Sequence, residues 1–157
     1  NSYSAPQLCC SSVNGCGPAL VSGASDFLVA KFFESQGSVV GDGWKNDPAG
    51  QTLCGLTRDA TQLSSLTASM AYNRCANRGA GGMSQAMGLV YASIWWDIRK
   101  QTTNAAAFEK FFLRHLELIR GDDDFATIKT KLLNLDSSDF QGAFTSLINS
   151  EFSKRGL

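Results

Sequence analysis

The chain has 157 residues, 43% of them apolar and 18% charged, which suits one folded domain with a sizeable core and argues against intrinsic disorder. Its 14 Lys+Arg balance 14 Asp+Glu, so it lacks the dense basic face that nucleic acid requires and the polybasic run that anionic membranes attract. No apolar stretch reaches the ~20 residues that span a bilayer, and a single histidine excludes any mechanism that draws two imidazoles from this chain.

Residues 1–18 form a Cys-containing N-terminal segment with turn signals at Pro6, Gly15, Gly17 and Pro18; residues 19–157 read as one helical domain. From Ala19 to Gln36 apolar side chains recur at helical spacing (Leu20, Ala24, Phe27, Leu28, Phe32), and Gly37 ends the run. Residues 37–60 read as a long loop holding Trp44. Thr61 to Ala76 is weakly helical, and Asn77 to Gly82 reads as a glycine-rich turn. Ser84 is positioned to cap a strong helix running to Gln101, and Asn104 to cap another that closes at Gly121. Asp122, Asp123 and Asp124 precede the next helix, where the helix dipole favours negative charge. Ser137 or Ser138 is expected to start the last helix, with Lys154 and Arg155 in its final turn. No stretch alternates with period two, so the expected fold is all-α, a bundle of about five or six helices.

Five cysteines, Cys9, Cys10, Cys16, Cys54 and Cys75, contain no C-x-x-C pair, which disfavours a zinc ribbon and favours one or two disulfides in a secreted or periplasmic protein. Cys54 with Cys75 would clip a polar segment, and Cys16 with Cys9 or Cys10 would close a small loop. The chain opens on Asn1 without a signal sequence, as expected of a product already trimmed of its targeting segment.

Three stretches resemble, in order, the C-terminal helical lobe of gluzincin zinc peptidases of the thermolysin and fungalysin type. Leu20-Val21-Ser22-Gly23-Ala24-Ser25-Asp26-Phe27 is similar to the helix reading E-G-x-S-D-[FY] in that family. The run from Gly82 to Ile98, ending Ser93-Ile94-Trp95-Trp96-Asp97-Ile98, resembles H-x-x-G-E-V-W-A-x-x-L-W-D-I. Phe125 to Leu133, together with Glu151-Phe152-Ser153-Lys154-Arg155-Gly156-Leu157, resembles the closing helices that finish A-F-A-x-R-G-L.

The resemblance implies a zinc site that this chain does not complete. Such a peptidase needs an H-E-x-x-H helix, a downstream Glu as third ligand, an Asp steadying a ligand histidine, and a later His for the oxyanion. H-E-x-x-H is missing from the sequence. The third-ligand position falls on Ser22, whose neutral hydroxyl is a poor zinc ligand. Asp26 keeps the supporting position, and the oxyanion position falls on Gln85, which cannot carry a proton's charge. The implied function is a secreted, catalytically inactive relative that uses no cofactor and binds a protein or peptide around Ser22, Asp26 and Gln85. One alternative is the C-terminal lobe of an active zinc peptidase whose H-E-x-x-H part lies outside this chain. The other, independent of the family, is a disulfide-stabilised interaction domain with Trp44 as its contact.

Other candidates have simpler readings. His115, among Phe112, Leu116 and Ile119, reads as a core histidine, and Asp122–Asp124 as helix initiation rather than a calcium loop. Gly79 to Gly82 is no phosphate loop, since no Lys-Ser/Thr follows it. Trp95 and Trp96 cannot share one helix face, so one belongs to the core and the other to its edge.

Overall fold

The computed structural model describes residues 16–32, 52–57 and 63–157. Within them stand six α-helices: α1 (Gly17–Phe32), α2 (Ala68–Cys75), α3 (Gly79–Gln101), α4 (Ala105–Leu116), α5 (Phe125–Asp139) and α6 (Thr145–Lys154). The all-α expectation holds. The one extended element described is a minimal ladder, β1 (Thr52–Leu53) with β2 (Leu56–Thr57), paired antiparallel. Its two turn residues, Cys54 and Gly55, both take positive φ (52° and 73°), as a tight two-residue hairpin of this twist requires.

The architecture is set by α3. From Ala86 to Ile98 it is buried on every side, which is the signature of a central helix rather than an amphipathic surface one. Its most extensive neighbour is α1, and α2 and α6 also pack on it. The α1–α3 contact is backbone-close: a Cβ at Gly23 would stand 2.3 Å from the Gly88 carbonyl oxygen, and one at Gly88 would stand 3.1 Å from the Ala19 oxygen. Beyond this crossing Phe27 enters an aromatic cluster, its ring 6.4 Å from Trp95 and 4.6 Å from Phe112 between centroids. Phe108, Phe111 and Phe144 extend the cluster, with Phe111 and Phe144 stacked at 4.7 Å. Trp95 and Trp96 of α3 are both buried, Trp95 completely and Trp96 nearly so.

Local capping explains most helix ends. Asn104 accepts from the Ala107 N–H (3.0 Å) and starts α4. Asp124 accepts from Thr127 (2.6 Å) and starts α5, and Thr67 accepts from Met70 (3.2 Å) and starts α2. Several boundaries differ from the sequence expectation. The helix expected from Ala19 starts at Gly17, where Pro18 in the first turn has no N–H to leave unpaired. The central helix starts at Gly79, after a short 3-10 turn (Ala76–Arg78), so Ser84 lies inside it and caps nothing; residues 79–82 are helix, not turn. The α4 helix closes at Leu116 rather than Gly121. Gly121 instead presses on Gly17, where a Cβ would come within 2.6 Å of it. Ser137 and Ser138 lie inside α5, and the last helix begins at Thr145. Its free N–H is met from a distance: the buried Asp136 carboxylate of α5 accepts from the Phe144 N–H (3.0 Å) and the Thr145 hydroxyl (2.7 Å). Gly37, Trp44, Cys9, Cys10 and the expected Thr61 start lie outside the described residues.

Covalent and ionic ties complete the frame. Cys54 and Cys75 form the expected disulfide, 5.5 Å between Cα atoms, fastening the hairpin to the end of α2. Closing 21 residues of chain in this way stabilises by about 3 kcal/mol on loop-entropy grounds. Arg74 donates to the Gly55 carbonyl (3.0 Å) beside it. Cys16 is disulfide-bonded as well, its partner lying outside the described residues. At the C-terminus the buried Arg155 guanidinium pairs with Asp97 of α3 and with Glu151 of α6 (3.3 Å), and donates to the Ser93 hydroxyl (3.1 Å).

Gly23→Ala should destabilise by about 1–3 kcal/mol through overpacking, although alanine is the better helix former. Gly81→Ala, where a Cβ meets nothing within 4 Å, should be neutral or stabilising by up to about 1 kcal/mol. The denaturant midpoint should therefore fall in Gly23→Ala and stay or rise in Gly81→Ala. Arg155→Leu leaves the Asp97 and Glu151 carboxylates without their shared partner and should cost about 3–5 kcal/mol, read by the same titration at pH 7.

Candidate functional site

Of the residues that the family resemblance singles out, Ser22 lies where α1 crosses α3. Ser22 and Asp26 stand one turn apart on α1, Ser22 half-buried and Asp26 buried. The Ser22 Cβ lies 3.2 Å from where a Cβ on Gly88 would be, which puts Ser22 against the crossing. Gln85 lies on α3 about one turn before Gly88 and is exposed. The crossing thus brings Ser22 to the turn of α3 that follows Gln85. Asp26, two turns further along α1 than Ala19, lies past the crossing.

His115 is buried among rings, at centroid distances of 4.3 Å from Trp95, 4.7 Å from Phe112 and 6.0 Å from Tyr91. Its Nδ1 faces the Phe112 carbonyl oxygen. Burial holds its pKa down at about 4, with that carbonyl contact working weakly the other way. A neutral, enclosed imidazole on an aromatic floor is a core residue, as the sequence reading expected. Tyr91 is equally enclosed, and burial raises its phenol well above the ordinary value. Among the described residues no group of three or more His, Cys, Asp or Glu side chains is placed to hold a metal ion.

The three consecutive aspartates have separate tasks. Asp124 caps α5, and its carboxyl is held below the usual range chiefly by its bond from Thr127. Asp123 is buried and takes both Lys131 (2.7 and 2.8 Å) and the Arg120 N–H (2.8 Å). Asp122 is exposed. In the C-terminal cluster, burial would raise Glu151, but the bonds and charges of Lys154, Gln101 and Arg155 together hold it below the usual carboxylate range.

A concave surface that the sequence did not indicate lies between α1 and α4. One hollow, of about 290 Å³, is lined by Val21, Ala24, Ser25 and Leu28 of α1 with Leu116 and Ile119. A smaller one, of about 80 Å³, continues past Leu28 to Lys31, Glu109 and Leu113, with aromatic rings as its floor. Apolar side chains stand exposed along it: Val21 at 55%, Leu113 at 58% and, at the end of α1, Phe32 at 80%. The charges on its walls, Lys31 and Glu109, pair with each other. Val21, Leu28 and Phe32 recur at helical spacing on α1, a signal already present in the sequence. Their facing partners on α4 were not readable there, because the pairing of the two helices is a tertiary fact.

Compared with protein-family models, curated proteins and solved structures, the chain finds no match. Among the described residues no helix is long and apolar enough to cross a membrane.

His115 predicts an acid-sensitive core. The unfolded chain takes up the proton near pH 6.5 and the folded one only near pH 4, so this contribution to stability is complete above about pH 6.5 and drains away as the pH falls toward 4. The loss amounts to about 3 kcal/mol. Stability measured between pH 6.5 and 5, a window above the ordinary carboxylate range, should fall with pH in the parent and stay flat in a His115→Phe variant.

Proposed function

We propose that this chain is a peptide- or protein-binding helical domain of gluzincin peptidase ancestry that has lost zinc chemistry, and that it receives an apolar segment of its partner along the α1–α4 groove. The observation that carries the binding reading is the exposed apolar row of Val21, Leu28, Phe32 and Leu113 beside two contiguous hollows. Apolar surface gathered in a concavity is where a partner gains most from leaving water. The Lys31–Glu109 pair is already closed, so the groove wall offers no unpaired charge to oppose an apolar guest.

The ancestry rests on the three motif stretches and their order. Loss of catalysis rests on residue chemistry: Ser22 stands where a zinc-binding carboxylate would be needed, and exposed Gln85 stands where a charged histidine would be needed. The single histidine of the chain is enclosed in the core. Export from the cytoplasm is part of the same reading and is supported by the Cys54–Cys75 disulfide. The groove and the disulfide equally suit an interaction domain with no peptidase ancestry, and the two readings share the same binding experiment.

Selection from a random peptide library should enrich sequences rich in Leu, Ile and Phe. Binding of the enriched peptides should weaken at least about tenfold (about 1.4 kcal/mol) in Leu113→Glu and in Val21→Glu. Both are exposed positions, so the unfolding midpoints should stay within about 0.5 kcal/mol of the parent. Equal binding by parent and variants would remove the groove from the argument. Chelator-sensitive peptide cleavage that disappears in Gln85→Ala would overturn the inactive reading, and tight one-to-one zinc binding would replace it with the active lobe.

A further inference from the structure

The outer side of α1 has the composition of a packing face. Its exposed residues are Pro18, Val21, Ser25, Leu28 and Phe32. They follow one another at steps of three and four residues, the spacing of the stripe that one helix offers another. The solvent side of a surface helix is ordinarily charged and polar, and this stripe carries no charge. The two charged side chains of α1 are Asp26 and Lys31. Asp26 is buried, and Lys31 pairs with Glu109. The polar group within the stripe is satisfied by its own helix, since the Ser25 hydroxyl donates to the Val21 carbonyl (2.9 Å). Ser25 can therefore enter a dry contact without leaving a hydrogen bond unmade.

The stripe also matches itself. Turned end over end about Ser25, it sets Phe32 opposite Pro18, Leu28 opposite Val21 and Ser25 opposite itself. The smallest side chain of the five then stands at the axis, where two helices come closest. Beside that axis lies the hollow of about 290 Å³, lined by Val21, Ala24, Ser25 and Leu28 with Leu116 and Ile119. A twofold mate brings the same hollow and the same apolar side chains to the contact, as a closed symmetric pair requires. Leu28 borders the smaller hollow together with Leu113, so α4 flanks the stripe. The formal net charge of zero sets up no overall repulsion between copies.

We propose that the occupant of the α1–α4 groove is a second copy of this chain, the two α1 helices packing antiparallel about a twofold axis at Ser25. This rests on the binding reading of the groove and names its partner. Sixteen residues of helix make a seam about 24 Å long. The contact therefore falls at the low end of specific interfaces, about 1,200 Å² in total, and suits a reversible pair that forms at micromolar concentration. An apolar peptide entering the groove competes with the second copy.

Sedimentation equilibrium of the full chain, from about 1 μM to about 1 mM, should show the mass rising from one chain to two. The dimer dissociation constant should increase at least about tenfold in Val21→Glu and in Leu28→Glu. Ser25→Cys should form a covalent dimer in a glutathione redox buffer, with the bridge located at position 25 by mass spectrometry. Phe32→Cys should not, because antiparallel packing holds it about 21 Å along the seam from its own mate, far beyond disulfide reach. A mass of one chain throughout overturns the proposal. So does a dimer that folded Val21→Glu leaves intact, or bridging in Phe32→Cys as fast as in Ser25→Cys. Should the glutamate variants fail to fold, the two cysteine variants decide the matter. A monomer that binds library peptides overturns this inference alone, whereas a monomer that binds none overturns the groove reading with it.

Discussion

The approach of α1 to α3 at Gly23 and Gly88 is the contact from which the remaining packing follows. With no side chain on either residue the two backbones come within atomic contact, and a single added methyl group would collide with a carbonyl oxygen. That closeness places Phe27 among Trp95, Trp96 and Phe112. It also presses the buried face of α1 onto the one helix that is buried all round. α6 can then close the other side of α3 through Arg155. A larger residue at the crossing would displace Phe27 from the ring cluster, and the cost would appear as lost packing far from the substituted site.

Polar groups inside this core fall into two kinds. Arg155, Asp97, Glu151 and Ser93 form a set in which each charge has a partner and each partner a geometry, as do Asp123 with Lys131 and Asp136 with the start of α6. Charges taken out of water cost several kcal/mol each unless so matched, which is why these residues come from different helices and hold them in register. The Tyr91, Trp95 and His115 atoms are the other kind. They are uncharged, and their rings contribute chiefly by filling the volume at the centre of the helices.

How much of this was legible depended on the range of the interaction. Asn104 was readable as a cap because a cap is satisfied within three residues, and the helix start after Asp122–Asp124 and the apolar period of the central helix were readable for the same local reason. Its start was not. Gly79, Gly81 and Gly82 signal a turn locally, yet the helix begins at Gly79, directly after the 3-10 turn Ala76–Arg78. The last helix was misplaced because Ser137 and Ser138 look like caps, whereas the true cap is the carboxylate of Asp136, reaching from the preceding helix across a left-handed turn at Gln141 and Gly142. The Cys54–Cys75 pairing was one of several that composition allowed. Ser22, Asp26 and Gln85 could be named from motif positions, but Asp26 is buried past the crossing and Gln85 is exposed before it.

On α1 the motif residues and the groove residues occupy neighbouring faces. Val21 and Ser22 are consecutive and so point about 100° apart; the same holds for Asp26 against Ser25 and Phe27. A substitution at Ser22 or Asp26 therefore alters the side of α1 that meets α3, while Val21, Leu28 and Phe32 keep theirs. This separation bears on the proposed function. A zinc-binding carboxylate on one face of α1 can be lost without changing an apolar surface on the next, because the two sets of side chains leave a shared backbone in different directions. The helix would remain in place through Gly23 and Phe27, whichever of the other faces evolution kept. A binding domain of peptidase ancestry would then be free to lose the metal-facing residues first and the groove-facing ones last.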